Sequence, residues 1–201
     1  MSILIASANK NGIVLTADSR ITYNTQALYR DNYSKLLLTC QGIGIGISGI
    51  VTKDDGRDLK KMMINYINLS DFSEKTIEDV VNRIIYEFIS REDILRDFRN
   101  IFFITGYNLA RIPILYEINT HRGILELNRF THDFVCIAPP CESEDSFINK
   151  ILDDYKSRDI ERLSCKRLIE LSDKWVKESG RLYLSVGGPT DIISIRPHKS
   201  R

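Results

Sequence analysis

The sequence predicts an α+β protein built as a four-layer αββα sandwich: two antiparallel sheets enclosed by two layers of helices. Three observations carry this expectation. Apolar runs of strand length come in groups with hairpin-sized gaps between them, which favours antiparallel pairing. Two amphipathic helical stretches follow the first group of strands, and two more follow the second. Strand signals return at the end, so the helix pairs fall outside and the sheets inside.

The elements follow in order. Residues 2–8 (SILIASA) and 13–18 (IVLTAD) are apolar runs joined by Asn9-Lys10-Asn11-Gly12, and Asn11-Gly12 suits a type I′ hairpin turn. Residues 19–34 are polar and turn-rich. Lys35–Thr39 is expected as a strand, and 43–49 (IGIGISG) alternates with period two. Leu59, Met62, Met63, Tyr66 and Ile67 are spaced as one face of a helix over 58–69, and Ser70 to Ser73 breaks it. Ile77, Val80, Val81, Ile84, Ile85 and Phe88 predict a second helix from Thr76 to about Ser90, with Thr76 and Asp79 at capping distance. Strands are expected at 100–107, 112–118, 123–130 and 133–138, with His121-Arg122-Gly123 as a turn and Pro139-Pro140 as a stop. Helices are expected at 143–156 and 159–179, the latter closed by Gly180. Strands at 182–186 and 191–196 flank the Gly187-Gly188-Pro189 turn.

Composition narrows the function classes. With 28 Lys plus Arg against 27 Asp plus Glu, the chain has no overall attraction to nucleic acid or to an anionic membrane. No run of 18 apolar residues and no signal peptide is evident, so a cytoplasmic protein without membrane partners is expected. Cys40, Cys136, Cys141 and Cys165 lack C-x2-C spacing and read as structural thiols in a reducing compartment. His121, His132 and His198 are scattered, and no metal or organic cofactor is implied. Without repeats or linkers, residues 1–201 read as a single domain. Gly44-Ile45-Gly46-Ile47-Ser48-Gly49 matches G-x-G-x-x-G, but its isoleucines alternate with glycines inside a strand. Dinucleotide binding needs that motif on a strand-to-helix turn, so the glycines read as sites of close backbone approach.

Several segments bear on chemistry. Ser2-Ile3-Leu4-Ile5-Ala6 precedes Asn11-Gly12-Ile13-Val14-Leu15-Thr16-Ala17-Asp18-Ser19-Arg20-Ile21-Thr22. Ser34-Lys35 precedes an apolar strand, and Ile47-Ser48-Gly49-Ile50-Val51 follows it. Thr105-Gly106-Tyr107, Leu115-Tyr116-Glu117-Ile118 and Gly123 come mid-chain, and Gly187-Gly188-Pro189-Thr190-Asp191-Ile192-Ile193-Ser194-Ile195 comes late. Together they resemble a proteasome β-subunit of the N-terminal nucleophile (Ntn) hydrolase superfamily, and the short chain with no obvious propeptide resembles the simpler bacterial relatives more than eukaryotic subunits. The likeness spans most of the chain and is most specific in the first fifty residues.

The chemistry of such a start is elementary. Once Met1 is removed, Ser2 carries a hydroxyl beside a free α-amine, whose pKa of about 7.7–8.0 suits a base at working pH. Ser2 would attack a carbonyl and form an acyl-enzyme. The resemblance implies helpers: Lys35 as a buried ammonium beside the nucleophile, Asp18 paired with it, Arg20 behind them and the Gly49 N–H as oxyanion donor. It also implies peptide or unfolded-protein substrates, a self-compartmentalising homo-oligomeric ring and an ATP-dependent unfoldase as partner.

Departures from the family pattern bear on activity. Asp133 stands in a slot where the family has a serine near the nucleophile. The acid expected before the late Gly-Gly is replaced by Tyr183 or Leu182, and Ser185 is the candidate for the serine that follows it. Arg30, Asp31 and Tyr33 lie in the loop where the family lines its substrate pocket. Two alternatives therefore stand beside hydrolysis: a catalytically silent structural or binding subunit, and acyl transfer or ligation on the same fold.

Overall fold

The computed structural model of the protein describes residues 2–22, 29–72, 76–120, 123–140 and 145–197. Strands β1 (Leu4–Asn9), β2 (Gly12–Asp18), β10 (Phe134–Ala138) and β11 (Thr190–Ile195) form one sheet in the order β10-β1-β2-β11. Strands β5 (Leu36–Leu38), β6 (Gly44–Gly49), β7 (Asn100–Tyr107), β8 (Pro113–Asn119) and β9 (Glu126–Thr131) form the second in sequence order. All pairings within both sheets are antiparallel. A short ribbon of β3 (Ile21–Thr22) and β4 (Tyr29–Arg30) stands apart.

Side-chain alternation builds the layers. In β1 and β2, Leu4, Ala6, Ala8, Ile13, Leu15 and Ala17 face the second sheet, where Phe103, Leu115 and Leu36 meet them. Ile3, Ile5 and Val14 point the other way, onto α4 (Asp145–Ser157) and α5 (Cys165–Leu182). In β6, Ile45 and Ile47 face α1 (Leu59–Leu69), α2 (Ile77–Arg83) and α3 (Glu92–Asp97). Strands buried on both faces explain why 2–8 reads as a nearly unbroken apolar run.

The inner face of β6 explains the glycine motif. A Cβ on Gly46 would stand 2.7 Å from Leu4 Cδ1, and one on Gly44 would stand 3.3 Å from Ile195 Cδ1. The glycines let the two sheets close together, as the strand reading requires.

Helix ends follow the capping rules. Asp58 caps α1 and Ser164 caps α5, while Thr76 and Asp79 form the expected capping box on α2. The stretch after α2 continues as a π-helix over Ile84–Ile89, keeping Ile84, Ile85, Phe88 and Ile89 buried.

Four expectations are corrected. The β1–β2 hairpin closes at Asn9↔Gly12, so Lys10 and Asn11 occupy the turn and neither has the positive φ of a type I′ pair. The Asn9 side chain takes over instead: Oδ1 accepts the Asn11 N–H at 2.8 Å, and Nδ2 donates to the carbonyls of Ile160 and Leu163. Gly12 is needed because a Cβ there would meet Cys165 Sγ at 2.8 Å. The last long helix begins at Cys165 rather than 159, since Ile160–Arg162 is a separate 3₁₀ turn. It also runs through Gly180 to Leu182, so Gly180 is no cap, and the expected strand over 182–186 is the helix end followed by a turn. Met1, the His121-Arg122 part of the turn, Cys141 and His198 lie outside the described residues.

Candidate active site

The centre of the site is an ion pair sealed from solvent. Asp18 ends β2 and Lys35 immediately precedes β5, so the pair bridges the two sheets, with Lys35 Nζ 2.9 Å from Asp18 Oδ1. Their side chains are 0% and 1% exposed. The carboxylate is nearly saturated: Oδ1 also accepts the Ile3 N–H at 3.0 Å, and Oδ2 accepts the N–H groups of Arg20 at 3.1 Å and Gly187 at 3.3 Å. Burial pushes the Asp18 carboxyl up and the Lys35 ammonium down, and their mutual attraction opposes both shifts.

Ser2 is joined to this pair through the backbone. Two groups bonded to one oxygen at 2.9 and 3.0 Å lie within 5.9 Å of each other, which bounds the distance from Lys35 Nζ to Ile3 N. Ser2 is itself buried, and its carbonyl accepts a 3.2 Å hydrogen bond from Ser48 Oγ.

Gly49 is the last residue of β6 and has φ +121°; a Cβ there would collide with Arg99 O and Asn100 Oδ1. Glycine is therefore required on two counts. Ile47 donates its N–H to Lys35 O on the β5 side, and Ile50 donates to Arg99 O on the β7 side. Strand alternation turns the Gly49 N–H toward the β5 side, beyond that strand's first residue.

Arg20 supports the pair through its backbone and ties down its surroundings. Nε and Nη2 bind Asp31, at 2.8 and 3.2 Å, and Nη1 donates to Leu184 O at 3.1 Å. A Cβ on Gly187 would run into the Arg20 guanidinium, so a side chain there would push Arg20 away from its position on Asp31. Ser185 is buried between the two contacts this turn makes with the site, Leu184 O on Arg20 and Gly187 N–H on Asp18.

Other sequence expectations fare differently. Asp133 does not lie near Ser2. In the β1–β10 register Leu4 pairs with Ala138 and Ala8 with Phe134, so Asp133 sits beyond the far end of β1, roughly 20 Å away. The exposed turn at 131–133 simply joins β9 to β10, and the end of β10 that lies beside Ser2 is Ala138-Pro139-Pro140. Tyr183 packs edge-on against Phe147 at 5.3 Å, and Leu182 is exposed. No carboxylate stands at either position. Asp31 and Tyr33 are held as framework: Asp31 by Arg20, and Tyr33 by a 2.7 Å bond to Asp58, the cap of α1.

Sequence reasoning missed Ser48, the Gly187 N–H and the Asp31 partner of Arg20. The first two depend on which face or turn meets the site, which no local pattern announces. The Asp31 carboxylate is visible as a charge near a candidate arginine, but it lies eleven positions further along the chain.

Two sheets packed face to face, each backed by helices, with a buried Lys–Asp pair at the root of the first strand, define the Ntn-hydrolase fold. The family model for Proteasome subunit matches residues 2–121. The chain belongs to the proteasome subunit family, with a β-subunit-like fold. The solved structure of an Anbu (Gly-1) mutant from Hyphomicrobium sp. strain MC1 resembles it at a TM-score of 0.72 and 18% identity, over 98% of this chain and 82% of that one. BPH from Thiobacillus denitrificans, solved in complex with epoxomicin, has a TM-score of 0.66 at 10% identity, covering 98% and 100%. The Anbu complex from Pseudomonas aeruginosa, solved as a helical assembly, has a TM-score of 0.67 at 18% identity, covering 96% and 81%. At these identities the likeness is one of fold. No curated protein matches the sequence.

Proposed function

We propose that this chain is an N-terminal serine hydrolase that cleaves peptide bonds through a Ser2 acyl-enzyme. The observation that carries the reading is the Asp18–Lys35 pair, buried and joined through Asp18 Oδ1 to the Ile3 N–H, one peptide from Ser2. With Met1 removed, the Ser2 α-amine takes the hydroxyl proton as Oγ bonds to the substrate carbonyl carbon. The Lys35 charge favours the developing negative charge, and the Gly49 N–H receives the oxyanion. The amine then protonates the leaving amine as the C–N bond breaks, and water releases the acyl group with the α-amine again as base. Arg20 holds Asp18 and the Gly187 turn, and Ser185 belongs to the same turn.

The helical assembly of P. aeruginosa Anbu supports self-association of this chain as well. Peptides or unfolded chains are the proposed substrates, with delivery by an ATP-dependent unfoldase.

Intact mass spectrometry with an epoxyketone tests the reading. The expected result is loss of Met1 and one adduct per chain, absent in Ser2→Ala. Retained Met1 without an adduct would overturn it and favour a silent subunit. The absence of a carboxylate at 182 and 183 is the specific observation on that side. Adding an amine nucleophile during turnover separates hydrolysis from acyl transfer by its products.

A further inference from the structure

We propose that Ser48 is a positioning residue for the nucleophile, holding the Ser2 main chain from the opposite sheet; this rests on the reading of Ser2 as nucleophile. The inward positions of β6 are Gly44, Gly46 and Ser48. At Gly46 a side chain is excluded by Leu4, so this face is built for the closest approach of backbones. At its last inward position it carries a hydroxyl instead, 3% exposed. A buried hydroxyl is unfavourable unless bonded, and this one donates to Ser2 O at 3.2 Å.

The same peptide group is held on its other side. Its N–H, that of Ile3, donates to Asp18 Oδ1 at 3.0 Å. The peptide joining Ser2 to Ile3 is therefore clamped between the five-stranded sheet, through Ser48, and the four-stranded sheet, through Asp18. Both reacting groups of Ser2, its hydroxyl and its α-amine, hang from the carbon next to this peptide. Fixing the carbonyl limits the rotations that would carry them off line, and alignment of that kind acts on the chemical step.

The surroundings leave this role open to Ser48. Tyr183 is packed on Phe147 and Leu182 points to solvent, so no acid from that turn orients the chain start. Ser48 bonds the nucleophile's carbonyl, so its effect passes through the Ser2 main chain.

The test is the kinetics of epoxyketone labelling, resolved into a limiting rate and a half-saturating concentration. Ser48→Ala is expected to lower the limiting rate roughly three- to tenfold, the effect of one lost neutral hydrogen bond. The half-saturating concentration stays unchanged, the melting temperature falls by only a few degrees, and Ser48→Thr, which keeps the hydroxyl, restores the rate. A Ser48→Ala chain labelled at the unsubstituted rate overturns the inference and leaves the hydrolase reading standing. So does a Ser48→Thr chain as slow as Ser48→Ala. An unsubstituted chain that takes no label at Ser2 overturns the hydrolase reading, and this inference with it.

Discussion

Replacing Lys35 by methionine tests the centre of the structure. Methionine nearly matches the aliphatic stem and removes the ammonium, leaving the 0% exposed Asp18 carboxylate without its counter-charge. Three backbone N–H groups, from Ile3, Arg20 and Gly187, still reach it. Removing one partner of a buried pair typically costs about 3–5 kcal/mol, which in a domain of this size lowers the melting temperature by roughly 10 °C. The variant also acquires a diagnostic pH dependence. Burial is the largest influence on Asp18, and without the cation it holds the carboxyl pKa above its ordinary 3.8. The folded state then binds a proton that the unfolded chain has released. Stability is intact below about pH 4 and is lost as pH rises through the folded pKa. Chemical denaturation at pH 5 and pH 8 is the assay. The deficit of Lys35→Met is expected to be smaller at pH 5. A deficit below about 1 kcal/mol at pH 8, or one that grows as pH falls, would refute the account of a sealed pair.

Two further outcomes follow from the geometry. Gly49→Ala places a Cβ into Arg99 O and Asn100 Oδ1 at φ +121°, so epoxyketone labelling is expected to fall at least ~100-fold, the size of one lost oxyanion donor. Labelling within threefold of the unsubstituted chain would remove Gly49 from the mechanism. Brief iodoacetamide treatment at pH 8 followed by peptide mapping is expected to modify exposed Cys40 and spare buried Cys136 and Cys165, burial pushing the Cys136 thiol up to about 12. Rapid modification of Cys136 would show the sandwich to be open at β10.

Much of the fold was legible because period and burial agree. Strands such as 43–49 and 100–107 alternate or run apolar over their whole length, and the Thr76–Asp79 box marks a helix start with its own side chains. The misread segments are those where distant contacts decide. Asn11-Gly12 has type I′ composition, yet the Asn9 side chain bonds the 3₁₀ turn before α5 and Cys165 fills the space above Gly12. Residues 182–186 have strand-like composition, but Tyr183 is drawn onto Phe147 and Gly187 onto Asp18. Asp133 was misplaced for a related reason. Counting along the chain does not reveal which end of β10 meets Ser2; the antiparallel register with β1 does.

The sequence by itself determined the layer order, the antiparallel pairing and the candidate residues Ser2, Asp18, Lys35 and Gly49. Each of these is written in side-chain periodicity or in a short segment with family likeness. Only the tertiary structure decided what those residues touch. It paired Lys35 with Asp18 across the two sheets, turned Arg20 onto Asp31 rather than the Asp18 side chain, and brought Ser48 over the Ser2 carbonyl. The physical reason is that these contacts join segments from different layers. Their distances depend on how closely the sheets pack, and that closeness is set by glycines at 44 and 46 meeting Ile195 and Leu4.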